Sequence, residues 1–126
     1  MLSGRLLHFI TFFMAISMSN LLTNIPTDPD RKAKEIVDIL LQNQHARVER
    51  IVSHGQITEA GQWYDQVEDE WVAIISGEAE LLFEDGRILR MKTGDHVLIP
   101  AHQKHRVTWT PPDRATVWLA VFVPAS

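Results

Sequence analysis

Gly94-Asp95-His96-Val97-Leu98-Ile99-Pro100-Ala101-His102-Gln103-Lys104-His105 decides how this chain is read. A Gly-Asp turn opens the stretch, a short apolar strand follows, a proline bends the chain, and two histidines stand three apart. Neutral imidazole is a common metal ligand, and a bend between strands can hold two of them near one point. The stretch therefore predicts β-structure and a site in one compact unit.

Working outward, the period on both sides is that of strands. From Ala46 the period changes: Val48, Arg50 and Val52 alternate with Arg47, Glu49, Ile51 and Ser53, with apolar residues on both faces. Trp71-Val72-Ala73-Ile74-Ile75 is an apolar run stopped by Ser76-Gly77. Glu78 to Phe83 and Arg87 to Met91 flank Asp85-Gly86, a hairpin signal. Arg106 to Trp109 and Thr116 to Val123 are the last strands, separated by Pro111-Pro112-Asp113. Short strands with regular turn signals predict an all-β sandwich or barrel. Upstream, Asp28-Pro29-Asp30 reads as a helix start, and Ile36, Val37, Leu40 and Leu41 recur at helical spacing. One amphipathic helix is expected over residues 29–43, covering an edge or mouth of the β-region.

The β-region resembles the cupin family, small jelly-roll barrels with two short motifs. The second motif typically reads Gly, five residues, Pro, any residue, Gly, two residues, His, three residues, Asn. Gly94, Pro100 and His105 match it, while His102 replaces the inner Gly and Trp109 the Asn. The first motif typically has a His-x-His pair, then Glu, six residues and Gly. Glu70 and Gly77 match, and the His-x-His pair is absent. With four residues between pair and Glu70, its positions are Trp63 and Asp65; with three, they are Tyr64 and Gln66. The resemblance covers residues 46 to 123 and implies an all-β double-stranded β-helix there, which the helix expected over 29–43 would precede. It looks closest to small single-domain cupins with a Trp-Tyr-Asp-Gln segment.

The resemblance also implies a site. In cupins the corresponding Glu and second-motif His face the barrel interior and bind a divalent metal, so Glu70 and His105 are candidate ligands. Asp65 is a candidate oxygen donor and His102 a second nitrogen donor. Such a set suits Zn, Fe, Mn, Ni or Cu with positions open for water or substrate. Tyr64 and Glu70 are the candidate catalytic groups, handling protons. Plainer readings stand beside these: Glu70 ends the acidic run Glu68-Asp69-Glu70 and can simply be solvated. His105 can be a core histidine, Asp65 an exposed turn residue, and His102 a bend residue pointing outward. Trp109, four residues after His105, would share its face on a regular strand and wall the pocket.

Composition bounds the function. The chain of 126 residues is 45% apolar and 22% charged, with a net charge of -4. That is one domain with a real core and no basic stripe, so nucleic acid is a poor partner. There are no cysteines, which removes disulfides, thiolate sites and a Cys nucleophile. Residues 6–22 are strongly apolar but short for a membrane span, so no stable membrane insertion is expected. Translation starting at Met18, giving a cytoplasmic protein, is preferred to a signal peptide cleaved near Ser19 that would export it. The resulting organisation is an apolar extension over 1–17, a helical lead-in over 18–45 and the barrel over 46–126. Two function classes follow: a metal-dependent small-molecule enzyme, or a metal-free binding or structural barrel. A homodimer joined through a β face is expected from the resemblance.

Overall fold

The computed structural model describes residues 15–26 and 34–126. Eight strands run in order: β1 Ile36–Gln42, β2 Arg47–Ser53, β3 Glu68–Ser76, β4 Glu78–Phe83, β5 Ile88–Lys92, β6 His96–Ile99, β7 His105–Trp109 and β8 Thr116–Pro124. They form a five-stranded sheet, β1-β2-β8-β3-β6, and a three-stranded sheet, β5-β4-β7. All pairings are antiparallel.

Alternation along the strands explains why the two sheets enclose a core. Val72 and Ile74 on β3, Leu81 and Phe83 on β4, and Trp118 and Phe122 on β8 are all buried in one apolar cluster. Each such side chain contributes about 1.5–3 kcal/mol through removal from water. Turn chemistry fixes the register. Gly86 closes the β4–β5 hairpin at φ 93°. Gly77, between β3 and β4, has φ 100°, and a Cβ there would stand 2.8 Å from the Thr116 backbone. Only glycine satisfies both demands.

The strands expected from Ala46 onward are all present. The expected helix over 29–43 is not borne out where it can be inspected. Residues 29–33 lie outside the described residues, and Ile36–Gln42 is strand β1, paired with β2 from Ile36↔Val52 to Gln42↔Arg47. Three β-branched residues, Ile36, Val37 and Ile39, favour the strand locally. A free β2 edge supplies the hydrogen bonds, and tertiary pairing outweighs a weak helical period. Within β1 the register shifts between Ile39 and Leu41, a bulge that breaks strict alternation and leaves both side chains exposed. No helix among the described residues is long and apolar enough to cross a membrane.

Candidate functional site: a polar chamber inside the barrel

His105 opens β7 directly after the Pro100 bend, and its backbone is clamped to Tyr64. The Tyr64 N–H donates to the His105 carbonyl at 2.8 Å, and the His105 N–H donates back at 3.2 Å. This isolated bridge stacks the two rings, with centroids 5.6 Å apart and planes inclined by 29°. Glu70 lies on β3 between Ile99 of β6 and Phe122 of β8, facing the interior. Its Oε1 is 3.5 Å from His105 Nε2, and the two residues are only 7% and 5% exposed.

The second ring nitrogen is also engaged. His105 Nδ1 lies 2.9 Å from the Gln103 carbonyl oxygen. Both nitrogens thus face oxygens, an arrangement that an imidazolium beside an ionised Glu70 satisfies. Burial alone pulls the imidazole pKa down, but the Glu70 carboxylate and the Gln103 carbonyl outweigh it and raise it above the ordinary 6.5.

The pair faces a chamber of about 250 Å³. Trp118, Phe122, Ile51 and Val107 supply apolar wall, and Tyr64, Gln66, Glu35, Glu49 and Arg47 supply polar groups. Burial, then the charge of Glu35 and Glu70, raise the Tyr64 pKa, outweighing a hydrogen bond with Thr58. Tyr64 is therefore a phenol at neutral pH and presents a donor rather than a base. Arg47 sits 4.3 Å over the Phe122 ring and bonds Glu49 at 3.2 Å and Glu68 at 3.1 Å. Outside the chamber a wider vestibule of about 680 Å³ is lined by Trp63, Thr58, Gln62 and Lys34 among others. Glu35, Tyr64 and Val107 line both spaces and so mark their junction.

Of the residues expected from sequence, the structure brings together Glu70, His105 and Tyr64. It does not bring Asp65 and His102 to them. His102 Nδ1 bonds Asp65 Oδ1 at 2.9 Å, with side chains 67% and 43% exposed, and neither lines the chamber. The reason is local. His102 has a left-handed backbone, φ 63°, at the position where the family motif has glycine. Its side chain leaves the bend outward, where Asp65 meets it. Along residues 63–66 it is Tyr64 and Gln66 that face the chamber, so the three-residue spacing of the first motif is the one realised. Trp109 is also corrected as a pocket wall. β7 bulges opposite β4, Leu81 pairing Val107 and Glu80 pairing Trp109, so the indole joins the outward side and lies under Arg90 at 4.3 Å. Trp118 is the chamber tryptophan instead.

These placements decide how well a divalent metal fits. The expected four-ligand set splits into a buried pair and a surface pair. Among the described residues no three His, Asp or Glu side chains converge to hold an ion. Glu70 and His105 already satisfy one another, and the first-motif positions carry a phenol and an amide, both weak ligands beside imidazole. The donor set does not fit a structural or catalytic metal centre.

Sequence reasoning missed Glu35, which precedes β1 and lines both spaces. Its carboxylate accepts a bond from the Ser53 hydroxyl at 3.2 Å, and Ser53 in turn accepts from the Trp118 indole N–H at 3.0 Å. Its pKa is raised, chiefly by burial, with Glu49 and Glu70 adding to it and the Ser53 bond opposing. No motif marks it, because an acid in a lead-in segment looks like any solvated one.

Known proteins share this architecture. A proposed mannose-6-phosphate isomerase of Ralstonia eutropha JMP134 is 40% identical, with a TM-score of 0.80 over 87% of this chain and 100% of that one. An RmlC-like cupin with a double-stranded β-helix from Methanocaldococcus jannaschii is 22% identical, at a TM-score of 0.62 over 82% of this chain and 94% of that one. A cupin domain from Bordetella pertussis Tohama I is 20% identical, at 0.58 over 72% and 94%. Among curated proteins none matches. The Cupin domain profile matches residues 51–122, from β2 to the chamber-lining Phe122 of β8. With its motif residues Glu70 and His105 paired inside that span, this chain belongs to the cupin domain family.

Proposed function

We propose that this cupin binds a small polar molecule, uncharged or cationic, in the chamber, and does so without a metal. The observation that carries the reading is the buried Glu70–His105 pair beside Tyr64, all facing a half-open space of about 250 Å³. Buried charge is expensive unless paired, and here it borders a space that a ligand can enter. Tyr64 donates a hydrogen bond to a ligand oxygen, Glu70 accepts one, and His105 holds a proton at Nε2 that can pass to a bound group. The isomerase relative suggests a sugar phosphate, but the lining argues against so anionic a ligand. Its two cations, Arg47 and His105, are each paired with carboxylates.

The test is native mass spectrometry of the intact protein after equilibration with neutral sugars, polyols and amines, with His105→Gln and Tyr64→Phe alongside. A retained small-molecule adduct that weakens in both variants, with unchanged circular dichroism, is the expected result. Absence of any adduct in the wild type contradicts the reading.

The alternative carried by family resemblance is a divalent metal, Zn, Fe, Mn, Ni or Cu, on Glu70 and His105. Elemental analysis of untagged protein decides it: about one equivalent, lost in His105→Ala, would favour the metal. The partner we infer is a second copy. Leu98, Trp71, Val121, Val48 and Leu41 stand in one register row across all five strands, on the face opposite the core. Leu98 and Leu41 at its two ends are 61% and 55% exposed.

A further inference from the structure

We propose that Glu35 is a ligand-binding residue of the chamber, receiving an ammonium or similar N–H-bearing cation of a small organic ligand whose apolar body rests against the aromatic wall. The inference deepens the binding function proposed above and rests on it. Charge balance carries it first. Arg47 is taken by Glu49 and Glu68, and His105 by Glu70. Glu35 is the lining carboxylate that forms no ion pair among the described residues, and one hydroxyl is its hydrogen-bond donor. A carboxylate so placed leaves acceptor positions unfilled.

The second support is construction. Trp118 donates to Ser53 and Ser53 donates to Glu35, a relay whose first two members are 4% and 1% exposed. Such a chain aims the carboxylate before any ligand arrives, which lowers the ordering cost of binding. The third is position. Glu35 lines both chamber and vestibule and stands where the two adjoin. Trp118 and Phe122 offer aromatic surface in the same chamber, a setting that suits organic cations. The raised pKa of Glu35 agrees with a carboxylate held without a cation.

The experiment titrates the full chain with n-butylammonium, n-butanol and butyrate by amide-resolved NMR, in wild type and Glu35→Gln. The amide variant keeps an acceptor for Ser53 and removes only the charge. Wild type should prefer the ammonium, and E35Q should lose about tenfold of its affinity while butanol binding barely changes. The ammonium preference should strengthen as pH rises through the Glu35 pKa. If butanol binds in the chamber but butylammonium gains nothing over it, or E35Q binds both as wild type does, the Glu35 role falls and the chamber reading stands. If butyrate binds tightest, the charge argument is wrong. If no probe moves the Ile51, Val107 or Phe122 resonances, the chamber reading itself fails, and this inference with it. Mn²⁺ alone broadening both Glu35 and Glu70 at one equivalent would reassign the carboxylates to a metal.

Discussion

His105 titrates as a buried ring between two oxygens. Its folded pKa lies above 6.5 because Glu70 and the Gln103 carbonyl both accept from the ring. The stabilisation from that pair is complete below pH about 6.5 and is lost as pH rises through the folded value. Urea unfolding of wild type and His105→Gln should therefore show a gap that narrows from pH 6 to pH 9; a constant gap contradicts a charged imidazole. Glu35 has the opposite linkage. Its folded pKa is raised above 4.5, so the folded state loses stability as pH climbs through that window. Glu35→Gln should unfold at higher denaturant than wild type at neutral pH and match it in acid. Ser53→Ala strips the buried Trp118 N–H of its acceptor and should cost about 1–3 kcal/mol in the same assay. By contrast His102→Gly relieves a left-handed backbone while losing an exposed pair, and should stay within about 1 kcal/mol of wild type.

Strands were legible in the sequence where alternation coincided with burial, and illegible where it did not. β3 and β8 announce themselves by apolar runs between turn residues, and both lie at the heart of the large sheet. Ile74, fully buried on β3, should cost about 2–5 kcal/mol when cut to alanine. β1 misleads because its apolar residues fit helical spacing, and only the free edge of β2 decides for a strand. The β7 bulge is equally hidden, since nothing in Val107-Thr108-Trp109 marks an extra residue, yet it takes Trp109 out of the chamber. Of the site, the family resemblance singled out Glu70 and His105 as candidate metal ligands, and the structure places the two side by side. Which of residues 63–66 face inward did not, because two spacings fitted equally. His102 could not be placed without its φ angle, and Glu35 had no signal at all.

At the scale of the whole molecule, a two-sheet barrel hides its polar pair inside and leaves an apolar row outside. Exposed rows of this kind mark contact surfaces. A second copy across it predicts a dimer in size-exclusion chromatography with light scattering, and Leu98→Glu should shift it toward monomer without altering thermal melting of the core. A wild type that is monomeric at all concentrations removes that prediction. Inside the barrel, the proposed function needs Glu70 and His105 to act as a charged pair beside the chamber rather than as two arms of a metal centre. The most direct test is nitrogen-15 NMR of the His105 ring at pH 6, before and after one equivalent of Zn²⁺. The account predicts two protonated ring nitrogens that Zn²⁺ leaves unchanged. An unprotonated Nε2 that shifts on stoichiometric Zn²⁺ addition, in wild type but not in Glu70→Gln, would contradict it.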